Sequence, residues 1–299
     1  GSQTHLYGWE AKESVEIAKE RISKLIKCKM KEIYFTSGAT ESINIALKGT
    51  AYSDKNTKKH IITFTAEHKA TLDVCKELEK DGYEVTYMNI NKSGQVDLKK
   101  IEASINKETF LLTILHANNE IGNIYPIEKI ASICKKHNII FHVDAAQSVG
   151  KLDLNMNESN IDILSFSGHK MYGPKGIGGL YIKHKSDKID LKPLMHGGGQ
   201  QSGIRPGTLP VQNIVGLGKA CEVCNDNMFD DNEKILKLRN YLLSGLKNVI
   251  PNLIINGELK NRLSGNLNIT IPNIRNNSLM MSLRGIAISN GSACTSNST

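Results

Sequence analysis

The feature that most constrains the fold is an alternation of short apolar runs with helix-like stretches along most of the chain. The runs are rich in β-branched and aromatic residues and are short, so each predicts a β-strand. Strands that alternate with helices form a mostly parallel sheet between helices, which predicts an α/β fold. Seven runs carry this pattern: "KEIYFTS", "HIITFTA", "YEVTYMNI", "TFLLTILHA", "IIFHVDAA", "IDILSFS" and "GGLYIKH".

The pattern changes after about Cys224, where "NDNMFDDN" is typical of an acidic, Asn-rich linker. A helix is predicted to follow the linker, and "GNLNITIPN" is predicted to be a strand. We therefore predict a large α/β domain over residues 1–228 and a small α+β domain over residues 229–299. The small domain is expected to be incomplete, because the chain stops at "SNST" before such a domain would close.

The composition argues against two classes of partner. The 299 residues carry a net charge of +8, but the lysines are scattered singly or in pairs. A nucleic-acid interface concentrates its basic residues on one surface, so this pattern argues against one. No apolar run approaches the ~20 residues that cross a bilayer, and we expect no membrane segment.

The six cysteines are widely spaced in a chain without a signal peptide. This spacing predicts a reducing compartment rather than a disulfide framework. We expect a cytoplasmic protein, bacterial in the first instance and mitochondrial as the alternative. Cys221 and Cys224 form one C-x-x-C without a second pair at zinc spacing. A helix there would put both on a packing face, with a metal or redox site as the alternative. We expect no metal site.

Candidate site residues follow the predicted strands, because parallel sheets bind ligands beyond the carboxyl ends of their strands. Gly38, Ala39 and Thr40 lie where the first strand turns into a helix, and the free N–H groups of a helix N-terminus bind phosphate. A simple N-cap is the alternative. His68 follows the second strand, although a lone histidine is more often structural. Asn119 follows the fourth strand in a sequence typical of a turn.

Two further strand ends carry charged residues. The fifth run ends at Asp144, and burying an ionised carboxylate costs several kcal/mol unless a cation or a strong donor meets it. Gln147 can reach the same ligand if the backbone turns into a helix. The sixth run delivers Ser167, His169 and Lys170. A lysine among apolar and cationic neighbours can offer its amine to an aldehyde as a Schiff base.

Together the strand ends provide the parts of a pyridoxal 5'-phosphate (PLP) site. They offer a phosphate cradle, an aspartate for a pyridinium nitrogen, a histidine to cover a ring and a lysine to hold an aldehyde. The "GPKGIGG" sequence after Lys170 lacks the G-K-[ST] of a nucleotide-binding loop, so we interpret its glycines as a tight turn. The sequence therefore predicts an enzyme in which Lys170 carries PLP.

Seven motifs in order make the chain resemble the cysteine desulfurases of the NifS/IscS type, within the class V aminotransferase group of fold-type I PLP enzymes. The resemblance covers nearly the whole chain and implies a large cofactor-binding domain and a small domain with the catalytic cysteine loop. The family pattern starts earlier and ends later than this sequence, so both ends are expected to be missing. The motifs are "TSGATESIN", "EHKATLD", "NNEIG", "HVDAAQSVGK", "SGHKMYGPKG", "HGGGQQSGIRPGTLPV" and "SNGSACTS".

The resemblance also implies a role for each candidate residue. Lys170 forms the Schiff base and Asp144 pairs with the pyridine nitrogen. Gln147 bonds the ring hydroxyl, and His68 stacks on the ring. Thr208 is similar to the family threonine that reaches the phosphate from the neighbouring subunit, which implies a homodimer. The remaining cofactor-binding residues are Ala39, Thr40, Ser167 and His169 at the phosphate, Gly168 between the last two, and Asn119 beside the cofactor.

Cys294 is the residue on which the specific function depends. The small and polar residues around it suit an exposed loop. By the resemblance, its thiolate takes the sulfur of L-cysteine as a persulfide and L-alanine is released, while His68 or Lys170 moves protons. A sulfur-acceptor protein such as an iron–sulfur scaffold then collects the sulfur for cluster assembly or thio-modification. The resemblance also implies that the arginine for the substrate carboxylate follows the catalytic loop, beyond "SNST", so we expect this chain to turn over L-cysteine poorly. Arg205 becomes the first candidate for the carboxylate if the chain is as active as a longer one.

Three alternative functions stay open. A selenocysteine lyase would use the same site on a related substrate. Another class V aminotransferase would have no use for Cys294. A non-catalytic scaffold of the same fold would have no need of Lys170, Asp144 or His68.

Overall fold

The computed structural model describes residues 4–184, 186–283 and 285–288, which divide into two compact units. The second unit comprises residues 90–96, 117–125 and the described residues from Phe229 onward, and the first unit comprises the rest. Within the second unit, Asn123 Nδ2 donates to the carbonyl oxygens of Ser93 and Gly94, and Asn123 Oδ1 accepts from Glu258 N. These bonds explain why two segments that the predicted boundary gives to the large domain belong to this unit. The division into functional domains stays a prediction.

Seven strands of the first unit form a single sheet. The strands are β1 (Ile33–Thr36), β2 (His60–Phe64), β3 (Glu84–Met88), β4 (Thr109–Leu115), β5 (Ile140–Asp144), β6 (Ile163–Ser167) and β7 (Gly178–Ile182). Their order is β1-β7-β6-β5-β4-β2-β3. Neighbours are parallel except that β7 runs antiparallel to both β1 and β6. The seven strands lie within the seven runs that the sequence predicts.

Helices connect most of these strands. They are α1 (Leu6–Ile26), α2 (Ala39–Ala51), α3 (Lys69–Lys80), α4 (Leu98–Ala103), α5 (Ile127–Lys136), α6 (Val211–Val249) and α7 (Asn276–Ser282). Side chains of α2 and α3 pack in one buried cluster with side chains of β2, β4 and β6. The mostly parallel sheet flanked by helices confirms the predicted α/β fold. In the part of the chain that the structure describes, no helix is both long enough and apolar enough to cross a bilayer.

The central strands are apolar throughout because they are buried on both faces. Every residue of β4, β5 and β6 is buried. Polar side chains inside them bond to one another, as His142 does through Nδ1 to Thr113 Oγ1 at 2.8 Å and through Nε2 to Ser165 Oγ at 2.8 Å. Burial lowers the pKa of His142 to about 3, so this bridge between three strands is uncharged at neutral pH.

The predicted linker after Cys224 is wrong, because α6 runs unbroken over 39 residues. Residues 225–232 contain neither glycine nor proline, and their polar side chains are accommodated on the helix. Asn227 Nδ2, for example, donates to the carbonyl of Val223, four residues earlier, at 2.9 Å. The strand predicted in "GNLNITIPN" shrinks to β9 (Ile269–Thr270), which pairs antiparallel with β8 (Ile254–Ile255).

The two cysteines of the C-x-x-C both lie on α6. Cys221 is fully buried, with its Sγ 3.6 Å from Met171 Sδ, which agrees with the packing interpretation. Cys224 is half-buried beside Gly150, where an added methyl group would come 2.9 Å from its Sγ.

Candidate active site

The candidate residues follow strands that end at the same edge of the sheet. Strands β2, β4, β5 and β6 are parallel neighbours, so their carboxyl ends meet there. Asp144 is the last residue of β5, and its register partner on β6 is Ser165. Strand β6 continues directly into a 3-10 turn, Gly168–Met171, that carries Lys170. Asp144 and Lys170 therefore extend from adjacent strands.

The exposed Lys170 amine lies close enough to four titratable side chains to act on their charge. Burial lowers the pKa of His68, Lys151 and His169, and the positive charge of Lys170 lowers each of them further. The same positive charge stabilises the carboxylate form of Asp144 and so lowers its pKa. The structure thus brings together residues that lie up to about a hundred positions apart in the sequence.

Asp144 is a carboxyl group in need of a positive partner. It is 2% exposed, and its Oδ1 accepts one hydrogen bond of 2.9 Å from Ala146 N. Burial raises the pKa of Asp144 to about 6, although the Ala146 bond and Lys170 act in the opposite direction. A protonated ring nitrogen at this carboxylate would restore its full ionisation.

A phosphate-sized anion has a cradle at the start of α2. The helix begins at Ala39, and among the described residues no side chain caps it at Gly38. A methyl group added to Gly178 would come 2.6 Å from the Gly38 Cα, so two glycines let the backbones approach closely. Ser167 Oγ lies beside Gly38 and 2.9 Å from His169 Nδ1. The helix N-terminus and two side chains of types that can donate a hydrogen bond to an anion are therefore side by side.

The sequence between Lys170 and β7 forms the tight turn that its glycines predict. Gly168 N donates to Ile177 O at 3.0 Å, and Gly173 N donates to Gly168 O at 3.0 Å. Tyr172 adopts a left-handed backbone conformation with φ of 62°. This turn holds Gly168 buried and leaves Lys170 exposed.

Two side chains predicted to contact the cofactor ring have their orientation set by hydrogen bonds. His68 caps α3, with its Nδ1 accepting from Ala70 N at 3.1 Å. Because Nδ1 is an acceptor, the neutral imidazole carries its proton on Nε2. Gln147 Oε1 accepts from Lys151 Nζ at 3.2 Å.

Four other candidates are not among the residues joined by the contacts described above. Asn119 belongs to the second unit. Thr208 is exposed, and Cys294 lies outside the described residues. Arg205 forms an ion pair with Glu41 in the first turn of α2, with 2.8 Å between Nε and Oε1. This pair already engages the guanidinium that the sequence offers for a substrate carboxylate. The roles assigned to all these residues stay predictions.

Sequence reasoning passed over two charged residues of the site, Glu67 and Lys151. Both stand inside motifs that mark the site, "EHKATLD" and "HVDAAQSVGK", Glu67 directly before His68 and Lys151 four residues after Gln147. Lys151 is half-buried near Lys170, and Glu67 Oε1 accepts from Leu115 N at 2.8 Å. A charged residue inside a motif that marks the site was the available signal.

The geometry is that of a PLP enzyme, and comparison with known proteins gives the class. The family described as Aminotransferase class-V matches residues 1–299, and the chain belongs to that family. The cysteine desulfurase IscS of Mannheimia succiniciproducens is 50% identical over 295 residues, which is 99% of this chain and 72% of that protein.

Two solved structures are similar to this one. A NifS-like protein gives a TM-score of 0.91 at 39% identity, over 96% of this chain and 78% of that chain. SspA in complex with cysteine gives a TM-score of 0.86 at 39% identity, over 99% of this chain and 82% of that chain. These similarities confirm the resemblance to the NifS/IscS-type cysteine desulfurases and the predicted fold.

The residues present fit PLP, the cofactor of this family. The glycine-lined start of α2, beside Ser167 and His169, suits a phosphate. The buried Asp144 suits a protonated ring nitrogen, and the exposed Lys170 amine suits an aldehyde.

Proposed function

We infer that this chain is a PLP-dependent cysteine desulfurase, a sulfurtransferase that converts L-cysteine to L-alanine and leaves the sulfur on Cys294 as a persulfide. The observation that carries this inference is the exposed Lys170 amine next to the buried Asp144 at the carboxyl edge of the sheet. The high identity to an IscS desulfurase supports the same reaction.

Several residues would hold PLP, which when bound supplies an electron sink for the substrate's α-carbon. Lys170 Nζ would hold the aldehyde, Asp144 would pair with the ring nitrogen and Gln147 would bond the ring hydroxyl. His68 covers the ring. The remaining contacts come from Ala39, Thr40, Ser167, Gly168 and His169 around the phosphate, from Asn119 beside the cofactor, and from Thr208 of a second subunit.

His68 and Lys170 move protons in this site. Burial and the nearby Lys170 charge lower the pKa of His68, so its ring is neutral at pH 7. Its Nδ1 accepts from Ala70 N, and Nε2 therefore carries the proton that the ring can give. Lys170 Nζ would be the second proton carrier.

Sulfur transfer requires no external oxidant. The Cys294 thiolate attacks the sulfur of L-cysteine, an S–S bond forms, and the carbon–sulfur bond breaks with its electron pair moving to carbon. Protons from the site complete the carbon, so L-cysteine and the Cys294 thiol become L-alanine and a Cys294 persulfide. Atoms and electrons balance within these two reactants.

The proposal extends to the surroundings of the enzyme. It works as a homodimer in the cytoplasm and passes its sulfur to an acceptor protein such as an iron–sulfur scaffold, for cluster assembly or thio-modification. The complete set of Lys170, Asp144 and His68 argues against a non-catalytic scaffold. A selenocysteine lyase or another aminotransferase is distinguished by its products from L-cysteine and by its need for Cys294.

The test is to supply the protein with PLP and L-cysteine under reducing conditions and to measure alanine and sulfide together. We expect equal amounts of the two products. Borohydride reduction followed by peptide mapping should place the cofactor on Lys170. Alanine without sulfide, or a label on another lysine, would contradict the proposal.

Cys294→Ser separates sulfur transfer from cofactor chemistry. We expect this variant to keep the PLP absorbance and the spectral change on adding L-cysteine, and to lose persulfide and sulfide by at least about a hundredfold, because a hydroxyl is a poor nucleophile toward sulfur. Cys28→Ser is the matched control, since that half-buried thiol has its pKa raised to about 12, mainly by burial, and is unreactive. Sulfide release at the parental rate by Cys294→Ser would rule Cys294 out as the acceptor.

A further inference from the structure

Glu67 is a buried carboxyl group that the proposed reaction does not use. It lies in the turn between β2 and α3, directly before His68, and is 7% exposed. Its Oε1 accepts a hydrogen bond of 2.8 Å from Leu115 N at the end of β4. Among the described residues, its Oε2 is buried without a hydrogen-bond partner.

The hydrogen bond to Leu115 fastens the Glu67 carboxyl to the strand next to Asp144. Leu115 is the register partner of Asp144 on β5, and the following amide, His116 N, donates to Asp144 O at 2.9 Å. Two buried carboxyl groups therefore lie near each other at the carboxyl edge of the sheet. Each makes ionisation of the other less favourable, as in other carboxyl pairs that share a site.

The surroundings of Glu67 decide which carboxyl keeps its proton. Burial raises the pKa of Glu67 well above its ordinary value, the Leu115 hydrogen bond acts against this, and the charge of Asp144 raises the pKa further. Cys75 on α3 also interacts with Glu67, but its thiol has a pKa raised to about 12, chiefly by burial. His116, next to Leu115, has its pKa lowered to about 4 by burial. Neither supplies a positive charge at pH 7.

Asp144 has what Glu67 lacks. Lys170 stabilises its carboxylate, as does the hydrogen bond from Ala146, and the bound cofactor would add a protonated nitrogen. Since one negative charge is stabilised at this edge and a second is not, the proton belongs on Glu67.

We propose that Glu67 keeps its proton on Oε2 in the cofactor-bound enzyme and acts as a positioning residue that reserves the negative charge of this edge for Asp144. Oε2 is the protonated atom because Oε1 accepts from Leu115. This assignment rests on the proposed function, because it concerns the charge that faces the cofactor nitrogen.

Infrared spectroscopy of the PLP-loaded protein tests the proposal, because a protonated carboxyl and a carboxylate have separate carbonyl bands. We expect a protonated-carboxyl band at pH 7.5 in the parent and its loss in Glu67→Gln, which keeps a neutral group and an oxygen for Leu115 N. Glu108→Gln, at an exposed carboxyl, is the control and should leave the band intact. The PLP absorbance should titrate with the same pH midpoint in the parent and in Glu67→Gln, since neither has a charge at residue 67.

Two results would overturn the proposal: a parent without the band, or a band that persists in Glu67→Gln. A shift of the PLP midpoint in Glu67→Gln would also overturn it, because it would show that the parent carries a charge there. Neither readout depends on turnover of L-cysteine. A protein that binds PLP but releases no sulfide would therefore contradict the proposed function and leave the charge of Glu67 decided.

Discussion

Asp144 lowers the free energy of unfolding of the cofactor-free protein by an amount that depends on pH. Burial raises its pKa from 3.8 to about 6, so the folded chain binds this proton more tightly than the unfolded chain. Stability therefore falls as the pH rises from about 4 to about 6. The difference of about two pKa units corresponds to ~3 kcal/mol.

Asp144→Asn should remove this cost, because the amide keeps an oxygen for Ala146 N but does not titrate. We expect the cofactor-free variant to exceed the parent in free energy of unfolding by ~3 kcal/mol at pH 7, and to lose the decline between pH 4 and 6, as measured by urea titration. Asp153→Asn, at an exposed ion pair with Lys27, is the control. Parallel pH profiles for parent and Asp144→Asn would show that burial does not penalise this carboxylate.

The sequence predicts the side chains that follow recognisable strands and misses those whose importance depends on hydrogen bonds to distant parts of the chain. Asp144 and Lys170 follow apolar runs that are plain in the sequence, and parallel pairing then brings them together. The carboxyl group of Glu67 is held in place by a hydrogen bond from the backbone of Leu115, 48 residues later. No local pattern encodes that hydrogen bond, because it depends on how β2 and β4 pair.

Helix α3 depends on His68 for its N-cap. His68→Asn should keep an acceptor for Ala70 N, because asparagine caps helices well, whereas His68→Ala loses the cap at a cost of ~1 kcal/mol. Both variants remove the ring, so alanine release from L-cysteine should fall to a similarly low rate in the two. Urea titration and product assays on the same preparations separate the effects.

The results for these two variants can contradict either the role of His68 as the cap of α3 or the role of its ring in the reaction. Equal unfolding free energies would mean that the His68 cap contributes nothing to α3. Parental activity in His68→Asn would mean that the ring is not needed for the reaction.

The meeting of β6, β7 and the start of α2 depends on Gly178. A methyl group there would come 2.5 Å from Phe166 O and 2.6 Å from Gly38 Cα. Because both are backbone atoms, Gly178→Ala must push the phosphate cradle apart, and we expect a loss of ~3 kcal/mol in stability and at least about tenfold weaker PLP binding. Fluorescence titration with PLP measures the binding.

Gly245→Ala is the matched control for that substitution. Gly245 is an exposed residue of α6 with open space around its Cα, so alanine should stabilise the helix by up to ~1 kcal/mol. Unchanged PLP affinity in Gly178→Ala would mean that the cradle does not need this close approach.

The sequence locates the strands of the sheet better than the helix that follows them. The strands are buried on both faces, so their apolar runs are continuous and bounded by polar residues. In α6 the polar stretch at 225–232 has low intrinsic helix propensity, and this suggested a linker. Packing of Cys221 and the absence of helix-breaking residues outweigh that propensity.

For the whole molecule, the central expectation is a homodimer in which Thr208 serves the partner's site. Thr208 is exposed, as a residue that acts on another subunit must be. Thr208→Val should weaken PLP binding by about tenfold or more, because it removes one hydrogen bond to a charged group, which contributes ~1.5 kcal/mol. Lys170→Ala abolishes borohydride labelling at its own site.

Coexpression of these two variants distinguishes a shared site from a separate one. A mixed dimer has one site with an intact Lys170 and an intact Thr208 from the other subunit, so labelling at low PLP should reach parental affinity in that fraction. If Thr208 acts on its own subunit, no mixed dimer contains an intact site and high-affinity labelling stays absent. The size of the mixed species is measured by analytical ultracentrifugation.

The pairing of β1 with β7 imposes a delay on folding during synthesis of the chain. Ile33 is bonded in register to Tyr181, so β1 leaves the ribosome long before its partner exists. At about 5–20 residues per second, the wait is roughly 7–30 s. During that time the strand has an open edge, and the N-terminus of α2 has not met Ser167. Arrested nascent chains that end before Gly178 should therefore bind no PLP and depend on chaperones. Chains released beyond Ile182 should form both the β1–β7 pairing and the phosphate cradle in one step.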